Sequence, residues 1–172
     1  MSLRCRPLAL ILIGSLVLSG LAGCGGWWPG AGDAQAHLEA GRRLLDEGQV
    51  DAALIELERA ARLAPRSVEA QYLLGNALTR VGQLDRAAAA YQAAVKLDPK
   101  HANAYSNLGV VRYQQGQSEE AIKAFREALR LQPDDAEFHY NLGGAYAQNE
   151  QLELALSELQ KANELAACRR GK

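Results

Sequence analysis

Gly41, Gly75, Gly109 and Gly143 stand 34 residues apart, and three further columns keep the same interval. They are Ala53, Ala87, Ala121 and Ala155; Ala60, Ala94, Ala128 and Ala162; and Pro65, Pro99 and Pro133. A fixed period of this length marks a repeat array, in which one supersecondary unit buries its apolar face only by stacking on copies of itself. Each unit holds two helix-length stretches, such as residues 70–81 and 84–97, so the expected fold is an all-α solenoid.

Local chemistry supplies the punctuation. Gly48, Gly82 and Gly116 fall between the two stretches of the first three units, where a glycine in the left-handed region ends one helix before the next begins. The second helix should stop at Ala64, Asp98 and Gln132, because each precedes a proline that pushes it out of the helical region. Ser67 and Asp135 then offer side-chain acceptors to the next helix start. Glycine inside a helix costs about 0.5–1 kcal/mol relative to alanine, so four of them need a return. Close helix–helix approach is that return, and Gly41, Gly75, Gly109 and Gly143 are expected to face Ala53, Ala87, Ala121 and Ala155.

Repeat three carries the fullest set of markers: Ala104, Tyr105, Asn107, Leu108 and Gly109, then Gly116, Ala121, Phe125, Ala128 and Pro133. Tyr140, Asn141, Leu142, Gly143 and Tyr146 repeat much of it, whereas His37 and Ala40 weaken the first unit. The pattern resembles the tetratricopeptide repeat family across residues 34–167. The resemblance implies a right-handed superhelix of four helix-turn-helix units at 34–67, 68–101, 102–135 and 136–167, followed by a basic tail at 168–172. It also implies an interaction scaffold whose inner groove holds a peptide or a protein segment.

Residues 1–23 read differently. Arg4 and Arg6 precede an apolar run from Leu8 to Leu18, and small residues close the segment before Cys24. A basic start, a short apolar core and a small-residue end make a secretory signal. The run is shorter than the roughly 20 apolar residues of a spanning helix. Leu21, Ala22, Gly23 and Cys24 resemble a bacterial lipoprotein box, which implies lipidation of Cys24 and a membrane anchor outside the cytoplasm. Residues 24–33 would form a Gly- and Pro-rich flexible tether. Its Trp27 and Trp28 either rest at the headgroup layer or do nothing specific. Gly25 lacks the aspartate that retains lipoproteins at the inner of two membranes, so an outer membrane, where one exists, is the expected site; otherwise it is the outer face of the cell membrane.

Removing residues 1–23 takes away two basic side chains and no acid, leaving 17 basic against 20 acidic groups and a net charge of −3. Nucleic-acid binding, which needs a clustered basic surface, is not expected. Cys5 leaves with the signal and Cys24 takes lipid, so Cys168 alone remains, and it reads as a bystander. No paired Cys/His spacing suggests a metal, and no cofactor is expected. Nor is there a nucleophile elbow, a phosphate-cradling loop or a zinc-protease motif, so no catalytic residue is assigned. His37 and His139 occupy equivalent positions on first helices and read as half-buried packing residues; His101 reads as a loop residue.

The side chains flanking the Leu–Gly core positions on each first helix should line the concave surface. Those expected to meet a partner are Tyr72, Asn76, Arg80, Asn103, Asn107, Tyr113, Gln114, Tyr140 and Asn141, with Leu38 and Ser106 among the other lining positions. Two readings of the asparagines stand. Their amides grip the backbone of an extended peptide, or they hydrogen-bond helix to helix. Clamps for free carboxylates carry positive charge on this face, whereas Tyr72, Glu137 and Asn141 occupy those places here.

The fourth unit changes character. Ala61, Val95 and Leu129 share a column that ends in Asn163, and the proline column ends in Ala167. Leu156, Leu159 and Leu165 should stay partly uncovered, an exposed apolar surface of the kind that marks contact sites and would permit self-association through the C-terminal repeat. The leading expectation is a lipid-anchored adaptor for cell-envelope assembly, of the pilus, secretion or wall-synthesis type. The other is a structural or oligomerising scaffold working through the end and outer faces of the array.

Overall fold

The computed structural model describes residues 31–170. Within them lie eight α-helices and no strand: α1 (Ala31–Asp46), α2 (Val50–Leu63), α3 (Val68–Arg80), α4 (Leu84–Leu97), α5 (Ala102–Gln114), α6 (Ser118–Leu131), α7 (Ala136–Gln148) and α8 (Leu152–Arg170). Each odd-numbered helix packs on the even-numbered helix that follows, and each even one packs on the next odd one. α1 also touches α3, α3 touches α5 and α5 touches α7, while the even-numbered helices keep their backbones apart and α2 and α4 are joined by the Glu58–Arg86 ion pair. The first helices therefore line the inside of the curve and the second helices its outside.

The turns inside the units are closed by backbone hydrogen bonds. The amide of Gln49 donates to the Leu44 carbonyl and that of Gly48 to Leu45, with the same pairings from Gln83, Gly82, Gln117 and Gly116 in the next two units. This is a Schellman closure, and its left-handed residue has φ of 77°, 76° and 74° at Gly48, Gly82 and Gly116. The fourth turn keeps the bonds, from Gln151 to Tyr146 and Glu150 to Ala147, but puts Glu150 at φ 60°. Between units, Ala64, Asp98 and Gln132 leave the helix at φ of −128°, −128° and −135°, as their prolines require. Ser67 accepts from the Ala70 amide, and Asp135 accepts from Glu137 and Phe138. His101 caps α5 in the same way, its Nδ1 accepting from the Ala104 amide at 3.2 Å.

Close approach is real, but the glycines face other residues than expected. A Cβ on Gly41 would lie 2.5 Å from Leu57 Cγ; on Gly75 or Gly109 it would lie 2.6 Å from the Tyr91 or Phe125 ring, and on Gly143 2.8 Å from Leu159 Cγ. Each glycine thus receives the large side chain sixteen positions on, and of the alanine column only the Ala155 carbonyl comes near, 3.2 Å from the Gly143 position. Geometry explains the shift: a long side chain reaches into the notch that a missing Cβ leaves, whereas the alanines fill the tight line beside it. Ala53, Ala87 and Ala121 are fully buried there, and Tyr91, Phe125 and Leu57 form the centre of the core. Burying each such large side chain contributes about 1.5–3 kcal/mol.

Both ends depart from the expected boundaries. α1 takes in Ala31–Asp33, which the composition assigns to the tether; the helix extends through Gly32, whose added Cβ would meet nothing. α8 has 19 residues where α2, α4 and α6 have 14, because Ala167 stands in the proline column and nothing stops the helix there. Residues 1–30, with the signal, Cys24 and the tryptophans, lie outside the described residues.

Candidate functional site: a two-part concave groove

Two cavities occupy the inner face. The first, about 350 Å³, opens between α1, α3 and α5 and is lined by Arg42, Asp46, Asn76, Thr79, Arg80, Tyr91 and Asn107 over Leu45, Leu73 and Val110. The second, about 430 Å³, opens between α5 and α7 over Val110, Phe125 and Leu159, with Tyr113, Gln114, Tyr140, Asn141 and Gly144 around it. The first is polar and charged. The second is apolar, with amides at its rim.

Hydrogen bonding separates the groove side chains that are tied to neighbouring helices from those that are not. The Tyr91 hydroxyl donates to Asn76 Oδ1 at 2.7 Å, and Asn107 Nδ2 donates to the same oxygen at 2.9 Å. Asn107 Nδ2 also lies 3.4 Å from the Tyr72 hydroxyl, and Thr79 Oγ1 lies 3.3 Å from that of Tyr91. Burial, eased by hydrogen bonding with Thr79, pushes the pKa of the Tyr91 hydroxyl up to about 12. Asn76 and Asn107 therefore join repeat two to repeat three, the helix-to-helix reading of these side chains. Arg80 Nη1 donates at 2.9 Å to the Leu45 carbonyl near the C-terminal end of α1, a carbonyl that also accepts from the Gly48 amide. Tyr72 packs against His101, ring centroids 4.7 Å apart, and Asn103 is exposed outside both cavities.

Tyr113, Gln114, Tyr140 and Asn141 remain, and the structure brings all four to the second cavity. Tyr140 is 63% exposed and Asn141 has no hydrogen-bond partner among the described residues. Leu38 and Ser106, expected on the groove, are buried instead.

Gly144 is the feature the sequence reading passed over. It sits inside α7 beside the structural Gly143, yet an added Cβ would meet nothing within 4 Å. In the same column stand Arg42, Asn76 and Val110, all of which line a cavity. A second helical glycine with no packing partner leaves open the floor of the apolar cavity. The signal was legible as a consecutive Gly–Gly pair inside a helix.

His37 and His139, read from the sequence as packing residues, each have a carboxylate partner on the second helix of their unit. His37 Nδ1 lies 2.5 Å from Glu56 Oε2, and His139 Nδ1 lies 2.6 Å from Glu158 Oε2, with its Nε2 donating to the Pro133 carbonyl. Units two and three replace each pair together, with Gln71 and Ala90, then Tyr105 and Ala124. These histidines clamp the two helices of the end units. Among the described residues no group of His, Cys, Asp and Glu is arranged to hold a metal, and no helix is long and apolar enough to cross a membrane.

A tetratricopeptide repeat profile matches residues 38–102, 72–133 and 106–167. Among solved structures, one of MamA superposes with a TM-score of 0.77 at 27% identity, covering 81% of each chain. Residues 41 to the end of MamA from Desulfovibrio magneticus RS-1 give a TM-score of 0.73 at 32% identity, over 77% of this chain and 75% of that one. No curated protein matches the sequence.

Proposed function

The chain belongs to the tetratricopeptide repeat family, a family of interaction scaffolds that are typically not enzymes, and on that premise we propose a membrane-tethered adaptor holding a protein segment in its concave groove. The observation that carries the reading is the apolar cavity between α5 and α7, floored by the unfilled space at Gly144. An extended peptide there gains apolar area from Tyr113 and Tyr140, and Asn141 offers both a donor and an acceptor to its backbone. Asn76, Asn107 and Arg80 shape the groove from behind rather than grip the peptide. The partner is a protein, not nucleic acid, and no cofactor takes part.

The tether belongs to the same proposal. The basic start, short apolar core and lipobox-like ending at Cys24 support a lipid anchor outside the cytoplasm. Two or more acyl chains give stable anchoring where one does not. An anchored adaptor suits the assembly of envelope machinery, at the outer membrane where the organism has one.

Crosslinking in intact cells, followed by recovery of the captured protein, tests the groove. Tyr140→Ala combined with Asn141→Ala should lose the partner while helicity and melting stay put, because neither side chain is part of the core. Undiminished capture overturns the groove assignment.

A further inference from the structure

Leu152 and Leu156 sit on α8 at 68% and 58% exposure. Their columns are covered in the earlier units: Val50, Leu84 and Ser118 precede Leu152 and are half-buried, while Leu54, Ala88 and Ile122 precede Leu156 at half-buried, 2% and 9%. The cover is the same each time. α3 lies on α2, α5 on α4 and α7 on α6, bringing Ala70 and Ala77, then Val111, then Phe138, Leu142 and Ala145 against the helix before. α8 continues that interface with no helix of this chain upon it among the described residues. We propose that the outer face of α8 docks one amphipathic helix of a different protein, stacked as α3, α5 and α7 are stacked on the helices before them.

The occupant's chemistry follows from the internal copies. It presents apolar residues four and seven positions apart, as Phe138, Leu142 and Ala145 do on α7, the spacing of one helical face. Charge fixes its direction. Gln115, in the turn after α5, donates to Asp85 of α4 at 2.7 Å, and the equivalent of Asp85 on α8 is Glu153, exposed and without an ion-pair partner among the described residues. A lysine or arginine just past the docked helix would meet Glu153, so its C-terminus lies at the N-terminal end of α8. Toward the other end Asn163 replaces Leu129, and apolar contact gives way to polar.

A second copy of this chain stacked head-to-tail does not meet these terms. The column of Ala77, Val111 and Ala145, each fully buried, begins with Arg43 on α1, an exposed cation 3.8 Å from Glu47. Docking α1 on α8 would bury that charge against leucine.

The test uses the full chain and a hydrocarbon-stapled peptide of the α7 sequence, residues 136–148, extended by two lysines. Fluorescence anisotropy should show saturable binding that weakens about tenfold or more in Leu156→Lys and is unchanged in Tyr140→Ala. Both side chains are exposed, so both variants keep the fold, and the second separates this face from the groove. Hydrogen exchange should show new protection of α8 on binding. Absence of saturable binding, equal affinity in Leu156→Lys, or a concentration-dependent dimer that alone protects α8 would each overturn the proposal.

Discussion

Gly143 and Gly144 are neighbours on one helix, and replacing each with alanine should move stability in opposite directions. Helix propensity favours both changes equally, by about 0.5–1 kcal/mol. At Gly144 nothing opposes the gain, because the new methyl meets open space. At Gly143 the methyl would lie 2.8 Å and 3.0 Å from Leu159 Cγ and Cδ2 and 3.2 Å from the Ala155 carbonyl oxygen. The carbonyl belongs to helix backbone and gives little. Overpacking of this kind costs about 1–3 kcal/mol, which leaves Gly143→Ala destabilised by roughly 0–2 kcal/mol and the two variants about 1–3 kcal/mol apart. Urea titrations followed by helical circular dichroism read the difference as a shift in midpoint at constant slope. Equal stabilisation of both variants would refute the claim that the 34-residue glycine column exists for close packing.

Three further perturbations test the account. The Tyr91 hydroxyl titrates near 10 in an unfolded chain and at about 12 in the fold, so the folded state keeps its proton when the unfolded state has lost it. Stability from this group is full below pH 10 and falls by about 2–3 kcal/mol as pH rises to 12, so thermal melts should show wild type losing stability between pH 9 and 11 by an amount that Tyr91→Phe, which lacks the hydrogen bond to Asn76 at both pH values, does not share. Glu150→Gly relieves the one left-handed non-glycine residue among those described and should stabilise by about 1 kcal/mol, seen as a higher urea midpoint. Asn107→Ala removes the bond to Asn76 and should destabilise by about 1 kcal/mol, with most of that loss absent in an Asn76→Ala background.

Column reading carried the fold a long way because each column is a repeated physical constraint. Gly48, Gly82 and Gly116 sit where a turn demands positive φ, and Pro65, Pro99 and Pro133 sit where a helix must stop. Which large residue filled each glycine notch was not legible. That depends on the angle between two helices, and only coordinates tell Ala53 from Leu57 as the neighbour of Gly41. The groove divided along the same line. Helical phase put Asn76, Asn107 and Asn141 on one face, yet their roles differ with what lies opposite. A tyrosine at position 91 draws Asn76 and Asn107 into the array, whereas Val110 and Phe125, which stand one unit on in the columns of Asn76 and Tyr91, offer Asn141 no polar group. The His–Glu clamps were within reach of the sequence, since each pair appears and vanishes together across the units.

A photo-crosslinking amino acid placed singly at Tyr113, Tyr140, Ile55 or Arg62 in intact cells measures the central claim directly. Tyr113 and Tyr140 border the apolar cavity, while Ile55 and Arg62 are exposed on α2 at the outside of the curve. The account predicts one discrete protein adduct from Tyr113 and Tyr140 and none from the α2 positions. Adducts from the α2 positions with none from the groove would contradict it.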